Sequence, residues 1–277
     1  MNARALLKQA EQTLSAAGIP DAKWDAEQLL SHVTGKAPML LRLENAEMPA
    51  ETERAFLSLL SRREGREPLQ YITGEQWFMG LPFSVTESVL IPRFDTEAMC
   101  EEAVKRLPGH ARVLDLCTGS GAIAVSVKKA RPDVEMHACD LSASALAVAR
   151  ENARRNGCEI CFYEGDLFAP LGNSGEKRFD AILSNPPYIP AEEIASLQAE
   201  VLREPRMALD GGRDGLDFYR CIAEEAPRYL KPSGLLILEI GDGQEKDVSA
   251  LLQKDFEDIF CLEDLSGRVR SVWARLR

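Results

Sequence analysis

Val113-Leu114-Asp115-Leu116-Cys117-Thr118-Gly119-Ser120-Gly121 carries an apolar run straight into a glycine-rich turn, and Ala122-Ile123-Ala124-Val125 continues it in a helical register. Strand, glycine loop and helix in that order begin a βαβ unit, where glycines let the backbone turn tightly and approach a ligand closely. Asp140 follows at the end of the next predicted strand. A carboxylate there can accept hydrogen bonds from both hydroxyls of a ribose. Loop and distal acid together point to a ligand that contains adenosine.

Outward from this loop the pattern alternates. Strands are predicted over 112–117, 135–140, 160–165, 181–184 and 235–240, and helices over 120–130, 143–156 and 217–230. Such alternation implies an α/β domain with a mostly parallel sheet covered by helices on both faces. Two last strands, 259–262 and 269–274, are joined by a connection too short for a crossover helix, so they should pair antiparallel. A seven-stranded sheet ending in an antiparallel pair is the Rossmann-like, class I methyltransferase variant of the doubly wound fold. Residues 171–177, Leu-Gly-Asn-Ser-Gly-Glu-Lys, read as a flexible insert.

Upstream, residues 1–72 read as a small all-helical domain. Asn2 can cap a helix with Leu6, Leu7, Ala10 and Leu14 on one face and Gly18 as its stop. Asp21 caps the next, with Ala26, Leu29, Leu30 and Val33 inward and Gly35 at its end. Pro38 opens a short piece, and Pro49 starts a longer helix with Phe56, Leu59 and Leu60, ended by Gly65 and Pro68. Residues 73–93 change period: Trp77, Phe78, Phe83, Val85, Val89 and Ile91 are strand formers broken by Gly80-Leu81-Pro82. They read as a connecting β-hairpin, which leaves 94–277 as the α/β domain.

With 277 residues, 45% hydrophobic and 28% charged, the composition is that of a globular chain and excludes disorder throughout. The apolar run Leu235 to Leu238 suits a buried strand, and no run approaches the length of a membrane span. The amphipathic N-terminus, with Arg4, Lys8 and Glu11, lacks the apolar core of a secretory signal. A soluble, cytoplasmic protein with no membrane partner is expected. The net charge of −11 argues against direct nucleic-acid binding and would suit a basic protein partner. Seven cysteines, an odd number, fit reduced thiols. Cys158-Glu159-Ile160-Cys161 has no second pair to complete a zinc site, and His32, His110 and His137 are scattered. No metal is expected.

Gly119-Ser120-Gly121-Ala122-Ile123-Ala124 also fits the dinucleotide pattern G-x-G-x-x-A. Asp115 shifts the balance. An acid in the loop repels a pyrophosphate and suits the cationic sulfonium and amino group of S-adenosylmethionine. Gly165-Asp166-Leu167-Phe168 ends the third strand, where Asp166 can accept the adenine amino group and Phe168 can stack on the ring or serve as core.

Asn185-Pro186-Pro187-Tyr188 follows the strand over 181–184. Carboxyl ends of parallel strands are where ligands sit. Two prolines stiffen the tetrapeptide and leave its carbonyls outside helical bonding. Asn185 Oδ1 and the Pro186 carbonyl can each accept one N–H of a planar amino group, and Tyr188 would wall the pocket. Two acceptors pull electron density onto an amide or aminopurine nitrogen as it is methylated, which stabilises the transition state.

At these residues the sequence resembles the PrmC/HemK family, the peptide chain release factor N5-glutamine methyltransferases. Pro68-Leu69-Gln70-Tyr71-Ile72-Thr73-Gly74 with Phe78 and Gly80, and Val89-Leu90-Ile91-Pro92-Arg93-Phe94-Asp95-Thr96-Glu97, resemble its inter-domain signatures. Glu204-Pro205-Arg206-Met207-Ala208-Leu209, Gly211-Gly212-Arg213-Asp214-Gly215-Leu216 and Leu238-Glu239-Ile240-Gly241 are similar to further family runs. The resemblance implies S-adenosylmethionine as methyl donor, bound by Cys117, Thr118, Gly119, Ser120, Gly121, Asp140, Asp166, Leu167, Phe168 and Asn185. It implies Asn185, Pro186, Pro187 and Tyr188 at the acceptor, with Asn185, Pro186 and Tyr188 catalytic. The acceptor is the glutamine of the Gly-Gly-Gln loop of class I release factors, which the helical domain would dock. Phe94 stands where the family usually has proline. Cys117 stands where the loop has its first glycine, a place that a thiol fills when φ is negative.

Competing readings are a glutamine methyltransferase of a ribosomal protein and an adenine N6-methyltransferase, which would need a basic groove and a pocket for a flipped base. A nicotinamide-dependent oxidoreductase leaves Asn185 to Tyr188 unexplained. A non-catalytic binding module leaves loop, Asp140 and tetrapeptide all unexplained.

Overall fold

The computed structural model describes residues 1–44, 47–172, 178–264 and 266–277. Residues 173–177 of the expected flexible insert lie outside them. Two compact units separate: residues 1–75 with 198–203, and residues 76–197 with 204–277. Among the described residues no helix is long and apolar enough to cross a membrane.

The smaller unit holds α1 (Ala3–Ala16), α2 (Ala22–Thr34), α3 (Pro38–Glu44), α4 (Ala50–Glu64) and α5 (Leu69–Thr73). Asn2 caps α1 by accepting from the Ala5 N–H at 2.9 Å, whereas Asp21 stands before α2 without a capping bond. Gly35, at φ 67°, ends α2 in the left-handed region that glycine enters without strain. Leu6, Ala10, Leu14, Leu29, Leu30, Phe56, Leu60 and Ile72 close one core. Each such fully buried Leu, Ile or Phe contributes about 1.5–3 kcal/mol. Under that core Arg63 pairs with Asp25 at 2.7 Å, both side chains being buried. Glu200, far along the chain, meets Arg63 at 2.9 Å and Arg66 at 2.7 Å. α5, which the sequence reading missed beyond Pro68, supplies Ile72 to this core.

In the larger unit a hairpin precedes the main sheet: β1 (Glu75–Phe78) and β2 (Leu81–Ser84). Its turn is Met79-Gly80, both at positive φ (50° and 70°), the two-residue turn whose twist matches paired strands. The expected turn had extended to Pro82, which lies inside β2, and the strand character expected at Val89 and Ile91 is absent. Both residues are nevertheless buried, in an irregular segment. Phe78 and Phe83 meet edge to face and join the core of the larger unit.

Then follow α6 (Asp95–Arg106), β3 (Arg112–Leu116), α7 (Ala122–Ala130), β4 (Glu135–Asp140), α8 (Ala143–Arg155), β5 (Cys161–Glu164), β6 (Phe179–Ser184), α9 (Asp217–Tyr229), β7 (Leu230–Glu239), α10 (Glu245–Leu252), β8 (Phe256–Glu263) and β9 (Val269–Leu276). The seven-stranded sheet runs β5-β4-β3-β6-β7-β9-β8. β3, β4, β5, β6 and β7 are parallel, and β9 lies antiparallel between β7 and β8. This is the expected Rossmann-like methyltransferase sheet, antiparallel last pair included. The central strands are buried on both faces, so they read as continuous apolar runs. Val113, Ala181, Leu183 and Ile237 face α6 and α7 residues, while Leu114, Leu116, Ile182 and Leu236 face α9 and α10 residues. The sheet order reverses between β3 and β6, so the carboxyl ends of those strands open a crevice.

Candidate active site

β3 delivers the chain to that crevice, and three left-handed residues then bend it: Cys117 (φ 58°), Gly119 (φ 54°) and Gly121 (φ 81°). Cys117 therefore does not take the negative φ that a thiol at this place was expected to need. The left-handed conformation costs a non-glycine residue about 1–2 kcal/mol, against about 0.5–1 kcal/mol of extra chain entropy that a glycine would lose on folding. Cys117→Gly should therefore stabilise the fold by about 0.5–1 kcal/mol, and raise its melting temperature by a few degrees in scanning calorimetry. A lower melting temperature would show that the thiol's packing outweighs the strain.

Asp140, at the end of β4, ties the loop down. Its Oδ2 accepts from the Gly119 N–H at 2.8 Å, and its Oδ1 accepts from the Ser142 N–H at 2.9 Å. An ionised carboxylate has about four lone-pair sites, so each oxygen keeps about one for a ligand hydroxyl. Burial raises the carboxyl, and the N–H bonds oppose that rise.

Asp115 has a different task from the one expected. It is fully buried and does not line the cleft. Its Oδ2 accepts from Thr118 Oγ1 at 2.6 Å and from the Ala124 N–H at 3.2 Å, so it pins the loop to the start of α7. Burial pushes its carboxyl up to about 7.

On the far side of the switch point, β6 ends in Asn185-Pro186-Pro187-Tyr188. The run Gly211 to Leu216 holds this tetrapeptide from outside. Ile189 N–H donates to the Leu209 carbonyl, and Gly211 N–H donates back to the Ile189 carbonyl. A Cβ on Gly211 would sit 2.7 Å from Tyr188 Cα, so only glycine lets the two backbones approach this closely. Gln244 Nε2 donates to the Tyr188 carbonyl at 3.0 Å, while its Oε1 accepts from the Gly241 N–H at 2.9 Å. The rigidity expected of two prolines is thus reinforced by a second strap. Nearby, buried Glu204 accepts from the Ile91 N–H at 2.9 Å and from Arg93, which fixes the irregular segment beside the cleft.

One cleft of about 490 Å³ gathers Cys117, Thr118, Gly119, Ser120, Asp140, Asp166, Leu167, Asn185 and Pro187. That volume suits a ligand of drug-like size. A close-turning glycine loop, an Asp with lone pairs to spare and the apolar Leu141 and Leu167 fit the parts of S-adenosylmethionine.

Four expected site residues do not line the cleft. A Cβ on Gly121 would meet Ala149 Cβ at 3.1 Å, so this glycine serves close packing of α7 on α8. Phe168 is fully buried and stacks on Tyr229, centroids 4.6 Å apart, so it is core and not an adenine platform. The Pro186 side chain is covered as well. Tyr188 packs toward the core of α9 and β7 residues instead of walling the pocket, and burial raises its hydroxyl. Conversely, Thr96 and Arg93 line the cleft although the sequence reading gave them no role. Their signal was the charged and hydroxyl residues flanking Phe94.

Comparison with known proteins bears on the fold and the family. Residues 5–74 match the PrmC N-terminal domain, and residues 96–213 match the methyltransferase small domain. Among solved structures, a methyltransferase from Pyrococcus furiosus superposes with a TM-score of 0.52 at 19% identity, over 71% of this chain and 89% of that one. The 16S rRNA N2 G1207 methyltransferase of Thermus thermophilus gives 0.53 at 16%, over 73% and 50%. These show the fold. The release factor glutamine methyltransferase of Geobacter sulfurreducens is 46% identical over 95% of this chain and 93% of its own length. That of Moorella thermoacetica is 41% identical over 100% and 99%. Likeness of that degree along the whole length means that the chain belongs to the release factor glutamine methyltransferase family.

Proposed function

We propose that this protein transfers the methyl group of S-adenosylmethionine to the side-chain amide nitrogen (N5) of the glutamine in the Gly-Gly-Gln loop of class I release factors, in the cytoplasm and without a metal. The observation that carries this reading is Asn185, which lines the same cleft as Asp140 and the glycine loop. Among the described residues no donor reaches Asn185 Oδ1 or the Pro186 carbonyl.

When bound, S-adenosylmethionine supplies an electrophilic methyl on a sulfonium. Asp140 holds the ribose hydroxyls, and Thr118, Gly119 and Ser120 surround the amino-acid end. Asp166 and Leu167 border the adenine. Asn185 Oδ1 accepts one N–H of the glutamine amide, and the Pro186 carbonyl is assigned the other. The nitrogen is thereby presented with its face toward the methyl, and its lone pair gains density as positive charge develops. Asn185 is too weak a base to remove the proton beforehand, so the proton leaves after transfer. The helical unit is assigned to dock the release factor.

Incubation with S-adenosylmethionine and an unmethylated class I release factor, followed by peptide mass spectrometry, tests the assignment. One methyl on the Gly-Gly-Gln glutamine is expected. No methyl there, from a sample that binds S-adenosylmethionine, would move the acceptor to a ribosomal-protein glutamine or to adenine. Asp140→Ala should weaken S-adenosylmethionine binding by roughly 10–100-fold in calorimetric titration, the worth of hydrogen bonds to a charged group. Unchanged affinity would remove Asp140 from the ribose.

A further inference from the structure

Glu239 ends β7 as the one acid in the apolar stretch Leu235 to Ile240, and it is 2% exposed. Carboxylates are rarely buried to this degree without a partner. Its Oε2 meets no hydrogen-bond donor among the described residues. An apolar residue would fill such a place at lower cost, so the acid is retained against stability.

Its position explains why. β6 and β7 are parallel and in register at Ser184 and Leu238, which sets Asn185 beside Glu239 at the two strand ends. Thr96, in the first turn of α6, closes the group from a third element. Asn185 Nδ2 lies 3.5 Å from Thr96 Oγ1, and both side chains bear on the Glu239 carboxyl, each favouring its ionised form. Tyr219 Oη donates to the Glu239 main-chain carbonyl at 2.8 Å, which fixes the end of β7.

Directionality follows from donor and acceptor inventories. An ionised carboxylate only accepts. Thr96 must then give its hydroxyl proton to Glu239 and is left able only to accept. Asn185 can satisfy both neighbours only with its NH₂ end. Its oxygen is then turned away from them and toward the cleft.

We propose that Glu239, with Thr96, is a positioning residue that sets which end of the Asn185 amide faces the acceptor. This rests on the assignment of Asn185 to the acceptor nitrogen. A protonated Glu239 can donate to Asn185 Oδ1 and turn the amide round, so the device works only in the ionised form. Burial pushes this carboxyl up to about 7. Asp95 raises it further, while Arg270, Thr96 and Asn185 lower it. The Tyr188 and Tyr219 hydroxyls and the Cys100 thiol also face it. Turnover is thus expected to fall as pH drops through this titration.

The test has an arm that needs no acceptor. In ¹⁵N-labelled protein the Asn185 side-chain NH₂ signal, assigned by its loss in Asn185→Ala, should titrate near neutral pH. In Glu239→Gln it should shift and lose that titration. Glu239→Gln should lower kcat by roughly 10–100-fold, the cost of a misaligned group, with unchanged S-adenosylmethionine affinity and without the pH limb that Glu239 sets. Asp115, which stays in place, would keep any limb of its own. Thr96→Val should behave like Glu239→Gln, and Thr96→Ser should restore turnover. An Asn185 signal indifferent to Glu239→Gln overturns the proposal. So does an unchanged kcat, a parallel fall of kcat, affinity and melting temperature, or a Thr96→Ser no better than Thr96→Val. A wild type that methylates no release factor, yet shows the coupled Asn185 signal, sinks the acceptor assignment and leaves the positioning standing.

Discussion

Asn185→Ala is expected to bind S-adenosylmethionine as the wild type does and to transfer methyl about 10²–10³-fold more slowly, the usual loss when one preorganised polar group is taken from a transition state. The separation of binding from turnover is the informative part. The loop and Asp140 remain intact in this variant, since neither is hydrogen-bonded to Asn185. Under the proposed assignment, only the acceptor nitrogen loses a partner. Single-turnover transfer to a purified release factor, read beside calorimetric titration of the cofactor, measures both quantities. A variant with wild-type turnover would remove Asn185 from the chemistry. One that no longer binds S-adenosylmethionine would make Asn185 a cofactor residue first.

The second large effect concerns stability. Phe168→Ala should destabilise the larger unit by about 3–5 kcal/mol, because a fully buried ring is replaced by a cavity. Phe168 packs among Leu114, Leu116, Ile182 and Ile222, and its stacked neighbour Tyr229 loses that contact too. In a chain of this size the loss lowers the melting temperature by about 2–4 °C for each kcal/mol. Well below the transition, S-adenosylmethionine affinity is expected to hold. Collapsed affinity with an unaltered melting curve would reinstate Phe168 as an adenine platform.

Phe168 also shows where reading the sequence stops. The run Gly165 to Phe168 lies at the end of β5, as its pattern implied, and Asp166 and Leu167 do reach the cleft. Leu167 takes a positive φ of 43°, an irregularity no apolar periodicity encodes, and beyond it Phe168 turns into the core. Gly121, Pro186 and Tyr188 tell the same story. Motif spacing located the segments, but which side of a bent backbone faces the ligand depends on dihedral angles. The strands were legible because burial on both faces leaves continuous apolar runs. α10, only eight residues long, was not seen, nor was α6, where motif residues obscured the helical register. Glu239 and Thr96 were on view as letters within family runs. What joins them to Asn185 is the sheet register, which lies outside any single motif.

The chain passes between the two units at 75/76, 197/198 and 203/204. The helical part is therefore not a module that one cut can release. A fragment ending at residue 75 lacks Glu200, and so leaves Arg66 without that ion pair and Arg63 with Asp25 alone. Any exchange of the helical part between relatives must carry the six-residue return of 198–203 with it. Its acid completes the ion pairs of both arginines, so the smaller unit is written in two stretches of chain more than a hundred and twenty residues apart.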